Sequence, residues 1–376
     1  MGDIFPKFKA AVVQASSILY DRQKCLDKAI ALIDETAQNG AELVALPESF
    51  IPGYPYHVWM GSPMWYHDLF KEWFFNSVEI PSKEVDAICQ AAASNHIDVV
   101  IGVTEREHNT CYNTLLYISR TGKLLGKHRK LMPTHVERVH WGAGDGSDLR
   151  TVDMAFGKLS GLICWEHTMD LARHALIAQR AKVHVAAWVG FSSMLGWETL
   201  FDMSTELCSR YHAHVGECFV LNVQGTVDKQ NVEKLNQTDY QKQFFKEGGG
   251  WTAIIGPGGA FLAGPLKGQE GILYSDIDLN AIADMAHWHD ATGHYARPDL
   301  LSLMVNLQHY RVTRPMQVGW PAVDSGATDE SAVPQHLLSQ VTQLMDAIRN
   351  QSTPGDVERI ASIVKTEVDT LLLSAK

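Results

Sequence analysis

The chain has 376 residues, 45% of them hydrophobic and 20% charged, the balance of a globular protein with a sizeable core and room for one large domain or two ordinary ones. Its 32 basic against 43 acidic residues leave a formal net charge of -11, which speaks against a general attraction to nucleic acid or an anionic membrane; only Lys127-His128-Arg129-Lys130 is densely basic. No apolar run approaches the roughly 18 residues of a membrane-spanning helix, and the N-terminus lacks the basic start and apolar centre of a secretory signal, so a cytoplasmic protein is expected.

Residues 8–14 read as a short buried strand. Asp21 is placed to cap a helix whose apolar positions Cys25, Ala29, Ile30, Ile33 and Ala37 recur at helical spacing, and Gly40 sits where that helix would end in the left-handed conformation. A second strand, 42–46, stops at Pro47-Glu48. Ser82 opens another helix through Val85, Ile88, Cys89 and Ala92, and the strand 98–103 follows. Segments 112–118 and 123–126 pair as a hairpin turned at Arg120-Thr121-Gly122, and 151–154 with 159–164 form a second. A helix over 169–180, a strand 183–187, a helix 198–215, a strand 218–223, a Gly-rich hairpin around 255–263 and a last strand 272–277 complete the pattern. Such alternation predicts a layered α/β domain with one mixed sheet or two sheets. Beyond Arg314 the chain changes character: Pro321, Ser325-Gly326 and Pro334 punctuate a polar linker before a helical-period end. The expected division is a core over 1–314 and a tail over 315–376.

The six cysteines, Cys25, Cys89, Cys111, Cys164, Cys208 and Cys218, form no CxxC pair and are expected to be reduced thiols. Cys164 stands apart because it ends the apolar strand LSGLI and precedes Trp165-Glu166-His167 and a helix. A nucleophile at a strand-to-helix turn is presented at the sheet edge with backbone N–H groups facing the reacting atom, and a helix N-terminus favours its thiolate. Glu48 also ends a strand, between Pro47 and Phe50, where poor solvation raises a carboxyl towards general-base range. Lys130 closes a third strand-like segment. A carboxylate, an ammonium and a thiol at three strand ends can meet at one edge of a sheet. No GxSxG elbow and no HExxH motif is present; His212/His214 and His287/His289 lack metal-site spacing and partners, so neither metal nor cofactor is expected. The Gly-rich pieces 142–146 and 248–250 read as turns.

PESFIPGYPY around Glu48, HRKLMPTHVERVHWGAGDG around Lys130 and CWEH at Cys164 closely resemble the three signature blocks of the nitrilase branch of the carbon–nitrogen hydrolase superfamily, and the resemblance extends from Lys9 to Pro298 through HYARPDL. It implies a Glu–Lys–Cys triad on Glu48, Lys130 and Cys164, with a further glutamate of the lysine block, counted as catalytic, on Glu137. It also implies a four-layer α-β-β-α sandwich and a homo-oligomer built from dimers, sometimes a spiral filament, to which the C-terminal tail would contribute. One departure is Thr168-Met169-Asp170-Leu171, where nitrilases usually carry a Pro-Leu pair; Asp170 would suit the first turn of the helix that follows. The implied reaction converts an organic nitrile to its acid and ammonia.

Aromatic residues crowd these blocks. Tyr54 and Trp188 lie just past strand ends and, with Trp165, are the expected pocket walls, which favours an aromatic or arylaliphatic nitrile. Cyanide hydrolysis by the same triad is the nearest alternative, ahead of an amidase, a non-catalytic assembly protein and a metallohydrolase.

Overall fold

Along Lys7–Gln14 (β1) the side chains alternate between two cores, Ala10 and Val12 facing one and Ala11 and Val13 the other. Burial on both faces is what a near-continuous apolar strand requires. The computed structural model describes residues 4–310 and Ser362. The chain divides into two units, Met1–Arg311 and Val312–Lys376. The expected tail, 315–376, with its boundary and its assembly role, lies outside the described residues apart from Ser362.

Asp21 caps Arg22–Gln38 (α1) by accepting from Lys24 N–H at 3.0 Å, and Gly40 has a φ of 81° just past its end. Leu43–Ala45 (β2) leads to Glu48. The helices His67–Asn76 (α2) and Lys83–Asn95 (α3) follow, the second capped by Ser82. Asp98–Glu107 (β3), Thr110–Ile118 (β4) and Leu124–Arg129 (β5) form a three-stranded meander. Next come Val152–Met154 (β6), Gly157–Ile163 (β7), Asp170–Ile177 (α4), Val183–Trp188 (β8), Glu198–Gly216 (α5) and Phe219–Gln224 (β9). Lys229–Leu235 (α6), Trp251–Ile255 (β10), Phe261–Lys267 (β11), Gly271–Asp278 (β12) and Ile282–Trp288 (α7) complete the unit.

There are two six-stranded sheets, ordered β12-β1-β2-β3-β4-β5 and β11-β10-β9-β8-β7-β6. Each centres on three parallel strands, β1-β2-β3 or β7-β8-β9, flanked by antiparallel ones. Val12, Ala45, Leu115 and Tyr117 of one sheet share a core with Ile163, Val185, Leu221 and Ala253 of the other. On the outer face of the first sheet α1 and α3 cover Val13, Val44 and Ile101; on the second, α4 covers Leu162. The result is the four-layer α-β-β-α sandwich that the resemblance implies.

The sequence reading misses α2, α6, α7 and the β3–β4 hairpin, which turns at His108-Asn109 with β3 running four residues past Val103. In α2 only Trp73 is buried, so its aromatics trace no apolar stripe. The expected helix 169–180 is shorter, because a 3-10 turn, Cys164–Thr168, precedes it and Arg180 turns left-handed at φ 61°.

Gly102 of β3 is the contact on which the segment after β2 rests. A Cβ there would lie 2.3 Å from the Pro47 carbonyl oxygen and 2.7 Å from Glu48 Cα. Overpacking against backbone costs about 1–3 kcal/mol, so Gly102→Ala is expected to lower the unfolding free energy by that amount, read as a lower urea midpoint at an unchanged m-value. A wild-type midpoint would refute the close approach.

Candidate active site

Glu48 follows β2, Lys130 follows β5 and Cys164 follows β7. The three do not gather at one edge of one sheet, as the sequence suggested, since β7 belongs to the second sheet. The site is instead the seam where the strand ends of two facing sheets meet.

Lys130 is 1% exposed, and its Nζ donates to Glu137 Oε2 at 2.8 Å and to Glu48 Oε1 at 3.3 Å. Asn113 of β4, which sequence reasoning did not single out, donates from Nδ2 to Glu48 Oε1 at 2.6 Å. A polar residue inside the apolar run of β4 was its only signal. Glu137 lies in the 3-10 turn His135–Val139. It accepts from Tyr54 OH at 2.7 Å and from Thr134 N–H at 2.6 Å, and Trp59 Nε1 donates to the Tyr54 hydroxyl at 3.0 Å.

Burial pushes the Glu48 carboxyl up to about 7, Lys130 opposing and Glu137 reinforcing the rise. Burial also works against the Lys130 charge, but Glu137 and Glu48 outweigh it and hold the ammonium above its ordinary range. The Cys164 thiol is raised well above its usual value, first by burial and then by Glu48, with Lys130 and the Trp165 N–H pulling the other way. This corrects the expected helix effect: α4 begins only at Asp170, so its N-terminus is not at the sulfur. At neutral pH Cys164 is therefore a neutral thiol in the field of the Glu48 carboxyl.

Cys164 adopts a φ of 55°, a left-handed conformation that costs a non-glycine residue free energy and persists when its surroundings enforce it. His167 Nδ1 donates to the Cys164 carbonyl at 2.7 Å. Burial lowers His167 to about 4 and His184 well below its usual range, so both rings are neutral at pH 7. With Nδ1 of His167 the donor, its Nε2 must accept from His184 Nε2 at 3.0 Å, and His184 Nδ1 accepts from Ser160 Oγ at 2.8 Å. This buried chain fixes the backbone that presents the thiol.

Every member of the basic run is paired with a carboxylate. On β5, Lys127 and Arg129 reach Glu105 on one face, while His128 points the opposite way to Glu166, as a two-residue period demands. Glu166 also accepts from Ile163 N–H and Leu131 N–H, both at 2.8 Å. Burial opposes the Glu166 charge, yet His128 and these N–H groups keep its carboxyl below the usual range. In the loop after the run, Gly144 N–H donates to the Lys130 carbonyl at 2.8 Å. Asp170 forms an ion pair with Arg173 in the first turn of α4.

Cys164 opens into a cavity of about 190 Å3 walled by Trp59, Trp165, Phe191, Met194, Trp197 and Phe201, with Thr134, His135 and Glu137 beside it. Of the expected pocket residues, only Trp165 lines it. Trp188 is fully buried, stacks on His167 at 5.1 Å and stands behind Phe201. Tyr54 holds Glu137 rather than facing the cavity. Among the described residues no group of three or more His, Cys, Asp or Glu side chains could hold a metal ion, and no helix is long and apolar enough to cross a membrane.

The carbon–nitrogen hydrolase family profile matches residues 9–287. An aliphatic nitrilase of Rhodococcus rhodochrous is 40% identical over 359 residues, 93% of this chain and 94% of its own. The chain belongs to the nitrilases of the carbon–nitrogen hydrolase family. An arylacetonitrilase of Aspergillus niger is another relative, 37% identical over 82% of this nitrilase and 92% of its own length. A carbon–nitrogen hydrolase of Helicobacter pylori G27 shares the fold, with a TM-score of 0.62 at 19% identity over 78% of this chain and 97% of that one. A Saccharomyces cerevisiae member of branch 10 of the nitrilase superfamily gives 0.59 at 21% identity, with coverages of 78% and 97%.

Removing one partner of a buried ion pair costs about 3–5 kcal/mol. Glu166→Ala is therefore expected to destabilise the nitrilase by that amount in urea titrations. A loss under about 1 kcal/mol, the worth of a surface pair, would contradict the buried pairing of Glu166 with His128.

Proposed function

We propose that the enzyme hydrolyses a neutral organic nitrile to its carboxylic acid and ammonia through covalent adducts on Cys164. The observation that carries this reading is the thiol at the base of an apolar cavity, within the field of an ammonium hydrogen-bonded to two carboxylates. Glu48 accepts the thiol proton as sulfur attacks the nitrile carbon, and that proton passes to the nitrogen to give a thioimidate. Lys130 and the Trp165 N–H stabilise the charge that develops. Water adds to the thioimidate with Glu48 as base, ammonia leaves, and a second water frees the acid from the thioester. Glu137, pinned by Tyr54 and Thr134, orients the ammonium. Escape of the thiol from the first water adduct would give the amide as by-product.

The aromatic walls support an arylaliphatic or aromatic nitrile. The Rhodococcus relative's name favours an aliphatic one as the second reading. The tail and the exposed stripe Leu200, Met203, Leu207 and Tyr211 on α5 support a homo-oligomer, which light scattering on Leu207→Glu would test by dissociation; wild-type mass in that variant would count against this face.

Ammonia release from phenylacetonitrile, benzonitrile, an aliphatic nitrile, cyanide and an amide, beside Cys164→Ala, tests the reaction. Release from organic nitriles that disappears in the variant is expected; release confined to cyanide or amides would overturn the substrate class. Lys130→Ala is expected to lose about 100- to 1000-fold in kcat, as for one charge-stabilising group. Since Glu48 acts as the ionised base and its carboxyl sits at about 7, kcat/KM should fall as pH drops below that value and level off above it. A profile flat down to pH 5 would exclude Glu48 as the base.

A further inference from the structure

Asn113 lies on the same face of β4 as Leu115 and Tyr117, which belong to the core between the sheets. Its backbone carbonyl accepts from Lys130 N–H at 2.8 Å, and its side chain donates from Nδ2 to Glu48 Oε1 at 2.6 Å. One residue thus holds both the backbone that carries the ammonium and the carboxyl beside it. The amide is fully buried, and among the described residues its Oδ1 accepts no hydrogen bond. An amide kept only to hold a strand in place would satisfy both its ends, because a buried acceptor without a donor is costly. Asn113 makes a single side-chain hydrogen bond among the described residues, and that bond goes to Glu48.

The Glu48 carboxyl is held unevenly. Its Oε1 accepts from Asn113 Nδ2 at 2.6 Å and from Lys130 Nζ at 3.3 Å, whereas its Oε2, also buried, accepts from no described residue. An oxygen with two donors on it has its lone pairs engaged and is the poorer proton acceptor, so Oε2 is the oxygen left to take a proton. A donor bonded to a carboxylate also favours the ionised form. Lys130 and Asn113 act in that direction here, against burial and Glu137.

We propose that Asn113 is a positioning residue for the reaction, whose amide fixes Glu48 Oε1 and keeps Glu48 an ionised base with Oε2 free for the proton of Cys164. The inference rests on the nitrile-hydrolysis reading, in which Glu48 is that base. As the S–H bond breaks, its proton goes to Oε2 and the sulfur forms its bond to the nitrile carbon. The proton then leaves Oε2 for the nitrogen, and the C≡N bond becomes the C=N bond of the thioimidate. Asn113 gives up no proton, and its bond to Oε1 persists through both transfers. Without the amide the carboxyl can turn about its Cγ–Cδ bond and keeps its proton to higher pH.

The titratable groups around Glu48 are Lys130, Glu137, Cys164, Tyr54 and Tyr56. Burial raises the thiol and both hydroxyls, so none of those three is charged at neutral pH, and Lys130 and Glu137 form an ion pair. Asn113→Leu alters none of these groups; it keeps the size and the backbone carbonyl and removes the donor. The acid limb of kcat/KM should therefore move up from about 7 by about one pH unit, the scale of one hydrogen bond to a charged group. The loss of rate should be about tenfold near pH 6 and shrink as the pH rises past about 8. A loss equal at every pH, as a merely structural role would give, or an unmoved profile would overturn the proposal. Asn113→Ala, which also removes the donor, serves if Asn113→Leu does not fold. Difference infrared titration of the carboxyl band that Glu48→Gln removes reads the same midpoint without substrate, and a wild-type midpoint in Asn113→Leu would also overturn the inference. A wild type that releases no ammonia from nitriles would sink the reaction and leave that titration to decide what Asn113 does to Glu48.

Discussion

The Glu166 carboxylate is the joint on which the catalytic geometry depends. It accepts from Ile163 N–H at the end of β7, from Leu131 N–H just past β5 and from the His128 imidazole. The two backbone donors come from different sheets, and each adjoins a site residue: Ile163 precedes Cys164, and Leu131 follows Lys130. One buried side chain thus ties the backbone beside Cys164 to the backbone beside Lys130. Its burial is expensive, and such a group is better understood as fixing a unique arrangement than as adding net stability. The alternation of β5 completes the device, because turning His128 inward also turns Lys130 inward.

Around this joint the protein keeps two electrostatic regimes apart. Behind Cys164 lies a chain of neutral imidazoles, Ser160 to His184 to His167, which holds the nucleophile's backbone without placing a charge near the sulfur. Ahead of it one ammonium lies between two carboxylates. Burial first, and then the negative charge of Glu48, raise the Cys164 thiol well above its usual value; in the proposed reaction the thiolate is generated during attack and not stored at rest. A buried thiol of this kind is less exposed to adventitious alkylation and oxidation than the low-pKa cysteines typical of redox sensors.

Much of this was legible in the chain. Glu48, Lys130 and Cys164 each follow a strand, apolar runs identified β1 and β8, and apolar residues at helical spacing identified α1 and α3. What was not legible is mostly long-range. Nothing local says that β7 lies in a different sheet from β2 and β5, since that follows from how two apolar faces pair. Asn113 reads as one polar residue in an apolar strand until its register against β5 brings it to Glu48. Trp188 and Tyr54 follow strand ends as a wall residue should, yet Trp188 turns onto His167 and Tyr54 onto Glu137. The walls come instead from Trp197 and Phe201, at the start of a helix whose distance from Cys164 only the fold reveals.

The aromatic chamber bears on how a catalytic cycle ends. A neutral nitrile entering it would give up little hydration, whereas the acid of the proposed reaction would ionise beside Glu137 in surroundings that solvate an anion poorly. The product is thus a worse guest than the substrate by virtue of its charge alone. On the proposed reading, the cavity that captures the substrate would also expel what it has made, and turnover would acquire a direction at the release step.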